Sequence, residues 1–276
     1  MKMMKYFSLF LLITTLLLFA ACSGSDSDDN NTNGSDSLAN QEDSSTIQTS
    51  YRLPSPVELY QIMKIEGVRF NSDMLNDTKK AESYMTTRDL ALNFGVYASD
   101  LAYCTVYDKP QKTFLYFEVS KTLADKLGVA EGFDEIVANK LEQNLGSSDS
   151  LYEITNQAYW DACNYLEAEQ KQDQLSLIMA GAWIESLYIL YIGVEKYRVE
   201  DPLMWRIAEQ RFLLENLIDH LKSLGELSDK ELIKVLEDLQ ISFDTIYDNA
   251  DDMPITKKQY DEIYQKVKQI RSNIVK

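Results

Sequence analysis

Histidine and cysteine are scarce in this chain of 276 residues, which contains one His and three Cys. Protein zinc sites use several Cys or His ligands, and the common serine and cysteine proteases use a His as the base. His220 alone supplies neither arrangement. The composition therefore excludes most zinc enzymes and triad hydrolases, and no motif in the sequence predicts a cofactor or a metal ion.

Proline and glycine are also few, with 5 and 10 residues. They stand where helices are expected to begin or end: Pro56 and Pro110 fit first turns, and Gly128 fits a C-terminus. No long run alternates apolar and polar residues, which is the pattern typical of half-buried strands. These absences argue against a sheet protein and favour an all-α fold.

Basic residues are outnumbered, since 27 Lys and Arg stand against 44 Asp and Glu, for a net charge of −17. Nucleic acids and anionic lipid surfaces attract basic proteins, whose cations replace the counterions of the phosphates. The charge of this chain therefore argues against nucleic acid or an anionic lipid surface as a partner.

Apolar residues recur every three and four positions over most of residues 51–276, as they do in amphipathic helices. We predict one domain of about nine helices, in which short connections make neighbouring helices antiparallel. Capping boxes that begin at Ser150, Ser228 and Thr256 mark three helix starts. The predicted helices lie near residues 56–66, 87–107, 110–127, 133–145, 150–171, 173–197, 202–224, 228–248 and 256–274.

The segment from Leu175 to Val194 is apolar on every side, and Glu185 is its only charged residue. A helix of this kind either lies in a protein core or spans a membrane. Because a carboxylate in mid-span is costly in lipid, we predict the central helix of the domain rather than a membrane span.

The N-terminus has the pattern of an export signal, with two lysines ahead of an apolar stretch from Phe7 to Phe19. The signal ends in Phe-Ala-Ala-Cys22, which resembles the lipobox of bacterial lipoproteins. The resemblance implies that residues 1–21 are removed and that acyl chains on Cys22 hold the protein on a membrane. The alternative is an ordinary signal peptidase site beside a chance cysteine.

Residues 22–50 are mostly small polar and acidic residues, which bury too little apolar surface to fold. We predict a disordered tether between the lipid and the helical domain. Its acidic start, from Ser25 to Asp29, resembles the short export signals of Bacteroidetes surface lipoproteins. That resemblance implies the outer membrane and its cell-surface side, with the periplasmic face as the alternative.

Two segments of the helical part are rich in small and aromatic residues, and they run from Asn93 to Tyr103 (NFGVYASDLAY) and from Gly181 to Tyr188 (GAWIESLY). Together they resemble a group of uncharacterised Bacteroidetes lipoproteins. The resemblance implies a Bacteroidetes origin for the chain and marks these two segments. It implies no mechanism, because that group has no assigned activity.

The same two segments place polar residues inside largely apolar helices. Asn93, Tyr97 and Asp100 fall at i, i+4 and i+7 on one helix face, and Glu185 lies near small residues on the other helix. We predict that the two faces meet and bring the acids into a poorly solvated site. The site is either a ligand pocket or, as we favour, an internal network with Asn93 and tyrosine hydroxyls as donors. In that network, Asp100→Asn and Glu185→Gln are both expected to lower the melting temperature.

Two cysteines remain after lipidation, Cys104 and Cys163, and both fall inside helical patterns. They form either a disulfide or, as we favour, buried free thiols.

Two function classes fit these features. The first is a membrane-anchored binding module with a protein or glycan partner, which the residues do not identify. The alternative is a hydrolase that cleaves glycans between paired carboxylates. We favour the binding module, because aromatic residues at helical spacing belong more often to a core than to a sugar-binding surface.

Overall fold

The computed structural model describes residues 56–129 and 133–276, and these residues fold into nine α-helices and four short 3₁₀ helices. The all-α prediction is confirmed. The predictions for residues 1–21, for residues 22–50 and for Cys22 lie outside the described residues. The α-helices are α1 Pro56–Ile65, α2 Thr87–Val106, α3 Pro110–Leu127, α4 Glu135–Gln143, α5 Ser148–Ala168, α6 Gln172–Gly193, α7 Leu203–Ser223, α8 Lys230–Asp244 and α9 Lys257–Ile274.

The 3₁₀ helices are the elements that periodicity did not predict. Such helices are usually only three or four residues long, which is too short for a repeating apolar pattern. Two of them lie between α1 and α2, one follows α7 and one follows α8. They are Ser72–Met74, Thr78–Ser83, Gly225–Leu227 and Thr245–Asp248.

Helix caps were predicted with mixed success. The capping box at Thr256 is confirmed, since both of its reciprocal hydrogen bonds are present. The other two boxes are wrong, because Ser147 rather than Ser150 caps α5 and Asp229 rather than Ser228 caps α8. Each of these helices is preceded by several residues able to cap, and the pattern does not distinguish among them.

Helices α2 and α6 form the centre of the fold. Every residue from Leu90 to Tyr107 is buried. Helix α6 is long and apolar enough to cross a membrane, since an 18-residue window of the helix has a mean hydropathy of 1.6. However, 89% of this window is buried inside the fold. Burial in the core therefore accounts for its composition, as predicted. Helices α1, α3 and α5 pack on α2, helices α7 and α9 pack on α6, and α8 packs on α7 and α9.

Two glycines let α2 and α6 touch backbone to backbone. A Cβ atom on Gly95 would lie 2.0 Å from the carbonyl oxygen of Ile178, and one on Gly181 would lie 2.0 Å from that of Leu92. Both distances are far shorter than a van der Waals contact. The predicted close approach of the two helices therefore depends on the absence of side chains at these two positions.

Cys104 and Cys163 are both buried thiols, and they form no disulfide with each other. Burial raises the pKa of the Cys104 thiol. Because the thiolate is the reactive form, a buried thiol with a raised pKa serves packing rather than chemistry.

Candidate functional site

The predicted meeting of acids occurs at the contact between α2 and α6. The carboxyl groups of Asp100 and Glu185 lie close enough to interact, and both side chains have no exposed surface. Two ionised carboxylates buried side by side would repel each other, whereas a protonated acid can donate a hydrogen bond to an ionised one. We infer that the pair holds one proton, for which Oδ1 of Asp100, a buried oxygen without a hydrogen-bond partner, offers a position.

The surroundings decide which acid holds that proton. Burial raises the pKa of Asp100 well above its usual range, and the negative charge of Glu185 raises it further. Burial also raises the pKa of Glu185, but the nearby guanidinium of Arg271 lowers it. We conclude that Asp100 is the protonated partner and donates to an ionised Glu185.

Arg271 of α9 supplies the positive charge of the site. Its Nε lies 2.5 Å from Oε2 of Glu185 and its Nη2 lies 2.8 Å from Oε1, so the pair is bidentate. The guanidinium carbon also lies 4.1 Å from the ring centre of Tyr188, and only 12% of the arginine side chain is exposed. The sequence patterns used above did not predict a role for Arg271. Its signal was the spacing of Val267, Arg271 and Ile274 at i, i+4 and i+7, which places the arginine on the apolar face of α9.

The segment between the first two 3₁₀ helices completes the site. The backbone N–H of Asn76 donates to Oδ2 of Asp100 over 2.9 Å, and its carbonyl accepts from the hydroxyl of Tyr116 over 2.7 Å. The acids are thus connected to α9 on one side and to the segment before α2 on the other. Asp100, Glu185, Arg271 and the backbone of Asn76 are called the acid network below.

Asn93 and Tyr97 do not belong to the acid network, which corrects the donors expected from the sequence. The amide of Asn93 donates to the carbonyl of Ile274 over 2.9 Å, so it fixes the end of α9. The hydroxyl of Tyr97 donates to the carbonyl of Asp77 over 2.6 Å. Both side chains are buried and hold neighbouring elements in place, but the actual donors to the acids are an arginine and a backbone amide.

The acid network has no room for chemistry on a substrate. Glycosidases place the scissile bond between two carboxyl groups that are about 5 Å apart or more. Here the two carboxyl groups lie against each other without exposed surface, and Arg271 and the backbone of Asn76 donate to their other oxygens. The geometry favours an internal network that fixes how α2, α6 and α9 pack, rather than a ligand pocket.

The protonation of Asp100 predicts how stability changes with pH. An unfolded Asp titrates near pH 4, whereas folded Asp100 has a raised pKa. Between these two values the folded state binds the extra proton, so the free energy of unfolding falls as pH rises. Asp100→Asn keeps a donor to Glu185 and removes this titration.

Urea unfolding of the Asp100→Asn variant from pH 4 to pH 8 is therefore expected to show a weaker fall in stability than the wild type. At neutral pH the variant is expected to be at least as stable as the wild type. The sequence predicted that Asp100→Asn lowers the stability of the fold, and the structure reverses that expectation. Glu185→Gln is still expected to lower the stability, because Arg271 loses its anion. Equal pH slopes for wild type and Asp100→Asn would contradict the assignment.

A second feature of interest is a groove of about 360 Å³ between α7 and residues 246–254. The three exposed aromatic side chains in the part of the chain that the structure describes all line it, with exposed fractions of 45% for Trp205, 46% for Phe212 and 59% for Tyr247. Trp205 and Phe212 are seven residues apart and share one face of α7. We call this surface the aromatic groove.

Arg211 lies between two of those rings. Its guanidinium carbon is 4.4 Å from the ring centre of Phe212 and 4.0 Å from that of Tyr247. Its Nε is buried without a hydrogen-bond partner. Two acids, Glu209 and Asp251, also line the groove. The aromatic groove therefore combines exposed aromatic surface with both hydrogen-bond donors and acceptors.

Across residues 56–129 and 133–276, no group of three or more His, Cys, Asp or Glu side chains is placed to hold a metal ion. Comparisons with protein-family models, with curated proteins and with solved structures find no match to this chain. The residues and their geometry therefore provide the only indications of function.

Proposed function

We propose that this protein is a lipid-anchored envelope protein whose helical domain binds a ligand at the aromatic groove and does not act as an enzyme. The anchor is the lipid on Cys22, and the location is the cell-surface side of the outer membrane. The resemblance of the N-terminal segment to a lipobox and the acidic run from Ser25 to Asp29 support this location.

The gathering of exposed aromatic side chains in one groove is the observation that carries the binding function. Exposed aromatic surface is costly in water, and a cluster of it in a concave site is typical of ligand binding. The tyrosines with large fully buried side chains, among them Tyr60, Tyr97 and Tyr191, are used in the core. The core does not use the side chains of Trp205, Phe212 and Tyr247, which are exposed.

The alternative, a glycan hydrolase with paired carboxylates, has less support. Asp100 and Glu185, the acid pair predicted from the sequence, are closed off from solvent. A purified protein that releases no reducing ends from a panel of glycans is the expected result. Turnover that disappears in the Glu185→Gln variant, while that variant stays folded, would favour the hydrolase instead.

Lipidation is expected to depend on Cys22. With Cys22→Ser, the acyl chains have no attachment site, so the protein is expected to leave the membrane fraction and to appear in the detergent-poor phase after phase separation. Cys163→Ser, which replaces a buried thiol in the helical domain, is the control and is expected to partition as the wild type does. If the Cys22→Ser variant still partitions with detergent, the anchor lies elsewhere and α6 has to be reconsidered as a membrane span.

Protease treatment of intact cells tests the membrane face. A cell-surface protein is expected to be degraded by added proteinase K, whereas a periplasmic protein is degraded only after the outer membrane is opened. Deletion of residues 25–29 is expected to protect the protein from proteinase K in intact cells, so that it is degraded only after the outer membrane is opened. Protection in intact wild-type cells would place the domain on the periplasmic face.

A further inference from the structure

We propose that the ligand of the aromatic groove is a neutral saccharide, which rests on the proposed binding function and names the class of molecule bound. Three properties of the groove match such a ligand. They are its size, its exposed aromatic rings and its combination of hydrogen-bond donors and acceptors.

The size of the groove points to a small ligand or a short segment of a chain. Its volume of about 360 Å³ falls in the range of small-molecule sites, which is about 300–1,000 Å³. A folded protein partner needs a contact of about 800 Å² on each side, which extends over a much wider surface. One or two sugar rings of a longer glycan fit the observed dimensions better than a protein surface does.

The ring faces match the apolar face of a sugar. Aromatic rings carry negative charge on their faces, and the C–H groups of a pyranose ring present a weakly positive, flat surface to them. Trp205 and Phe212 lie on one stripe of α7 with the small residue Ala208 between them. This spacing puts the two exposed rings about two helical turns apart along the α7 side of the groove.

The polar groups match hydroxyls rather than a charged ligand. Glu209 and Asp251 accept hydrogen bonds, and Arg211 donates them, so hydroxyl groups find partners of both kinds. An anionic ligand would meet the carboxylate of Asp251 and that of Glu209, which is already paired with Arg206, on a strongly acidic chain. A cationic ligand would meet Arg211, which already supplies positive charge to the rings of Phe212 and Tyr247.

Calorimetric titration of the purified wild-type protein tests the proposal directly. The probes are neutral hexasaccharides of glucose, mannose, galactose, xylose and N-acetylglucosamine, with oligogalacturonate and a lysine- and proline-rich peptide as the charged comparators. We expect at least one neutral probe to bind and both charged probes to bind more weakly. Trp205→Ala is expected to weaken that binding by about tenfold or more, since it removes a stacking face.

Two further variants keep the result interpretable. Tyr247→Ala changes a more exposed ring and is expected to weaken binding even if Trp205→Ala perturbs the fold. Ile241→Ala removes an apolar side chain that is 65% exposed on α8, outside the groove, and is expected to leave binding unchanged. Circular dichroism verifies that each variant keeps its helices.

The outcomes separate the ligand class from the proposed function. Binding of a charged probe in preference to every neutral one, with the same dependence on Trp205, would overturn the saccharide while leaving a binding module. Failure of all neutral probes to bind would also overturn the saccharide. Hydrolysis of a bound probe would instead overturn the proposed non-enzymatic function.

Discussion

Replacing Arg271 with Met is expected to lower the free energy of unfolding by about 3–5 kcal/mol. The substitution leaves the ionised carboxylate of Glu185 buried without its counter-ion, and a buried unpaired charge is among the costliest defects in a protein. It also removes the contact of the guanidinium with Tyr188. Urea unfolding of the purified full chain at neutral pH, followed by far-ultraviolet circular dichroism, measures the change.

A matched substitution on the surface separates this effect from the loss of any arginine. Arg206 also pairs with a carboxylate, that of Glu209, but its side chain is 44% exposed. Arg206→Met is expected to change stability by about 1 kcal/mol or less. A double variant with Arg271→Met and Glu185→Gln is expected to recover much of the loss, because the unpaired charge is then absent. If Arg271→Met costs no more than Arg206→Met, the acid network does not stabilise the fold.

Gly95→Ala is the second substitution with a large expected effect. Alanine normally favours a helix over glycine by about 1 kcal/mol, so a change in an open helix would stabilise. Here the added Cβ atom would lie 2.0 Å from the carbonyl oxygen of Ile178, and a backbone cannot move aside without separating α2 from α6. We expect a loss of about 3 kcal/mol or more in the free energy of unfolding.

Gly181→Ala is expected to behave in the same way, since its Cβ atom would meet the carbonyl oxygen of Leu92 at 2.0 Å. Gly146→Ala is the control, because that position has no atom within 4 Å of an added Cβ. Its stability is expected to stay within about 0.5 kcal/mol of the wild type. Thermal and urea unfolding compare the three variants. A Gly95→Ala protein as stable as Gly146→Ala would contradict the tight contact between α2 and α6.

The helices and the central contact could be predicted because their causes are local or leave a compositional signature. Periodic apolar residues mark the nine helices, and an apolar helix with one carboxylate marks α6 as buried. Gly95, Gly181 and the acids at Asp100 and Glu185 together indicate two helices that meet closely around a polar pair. Each of these signals consists of particular residue types at helical spacing.

The rest of the acid network could not be predicted with the same reasoning. Asn76 acts through its backbone N–H, which every residue except proline has, so no residue type marks it. It also lies between 3₁₀ helices that carry no periodic pattern. Arg271 left a signal on the apolar face of α9, but basic residues often extend along apolar surface to reach water. Only the placement of α9 beside α6 shows that this one reaches a carboxylate instead.

The aromatic groove was beyond prediction for a different reason. Trp205 and Phe212 share a face of α7, which the sequence indicates, but Tyr247 comes from a 3₁₀ helix after α8. Their meeting depends on how α8 turns back along α7. The sequence likewise does not show that Arg211 is held between the rings of Phe212 and Tyr247.

The protonation state of Asp100 at neutral pH tests the central claim that the two buried acids are a closed structural pair. Carbon-13 NMR of protein labelled at aspartate side chains measures it, with the Asp100→Asn variant used to assign the signal. The carboxyl carbon of Asp100 is expected to keep the chemical shift of a protonated acid at pH 7, while exposed aspartates show the shift of carboxylates. A carboxylate shift for Asp100 at pH 7, with titration near pH 4, would contradict it.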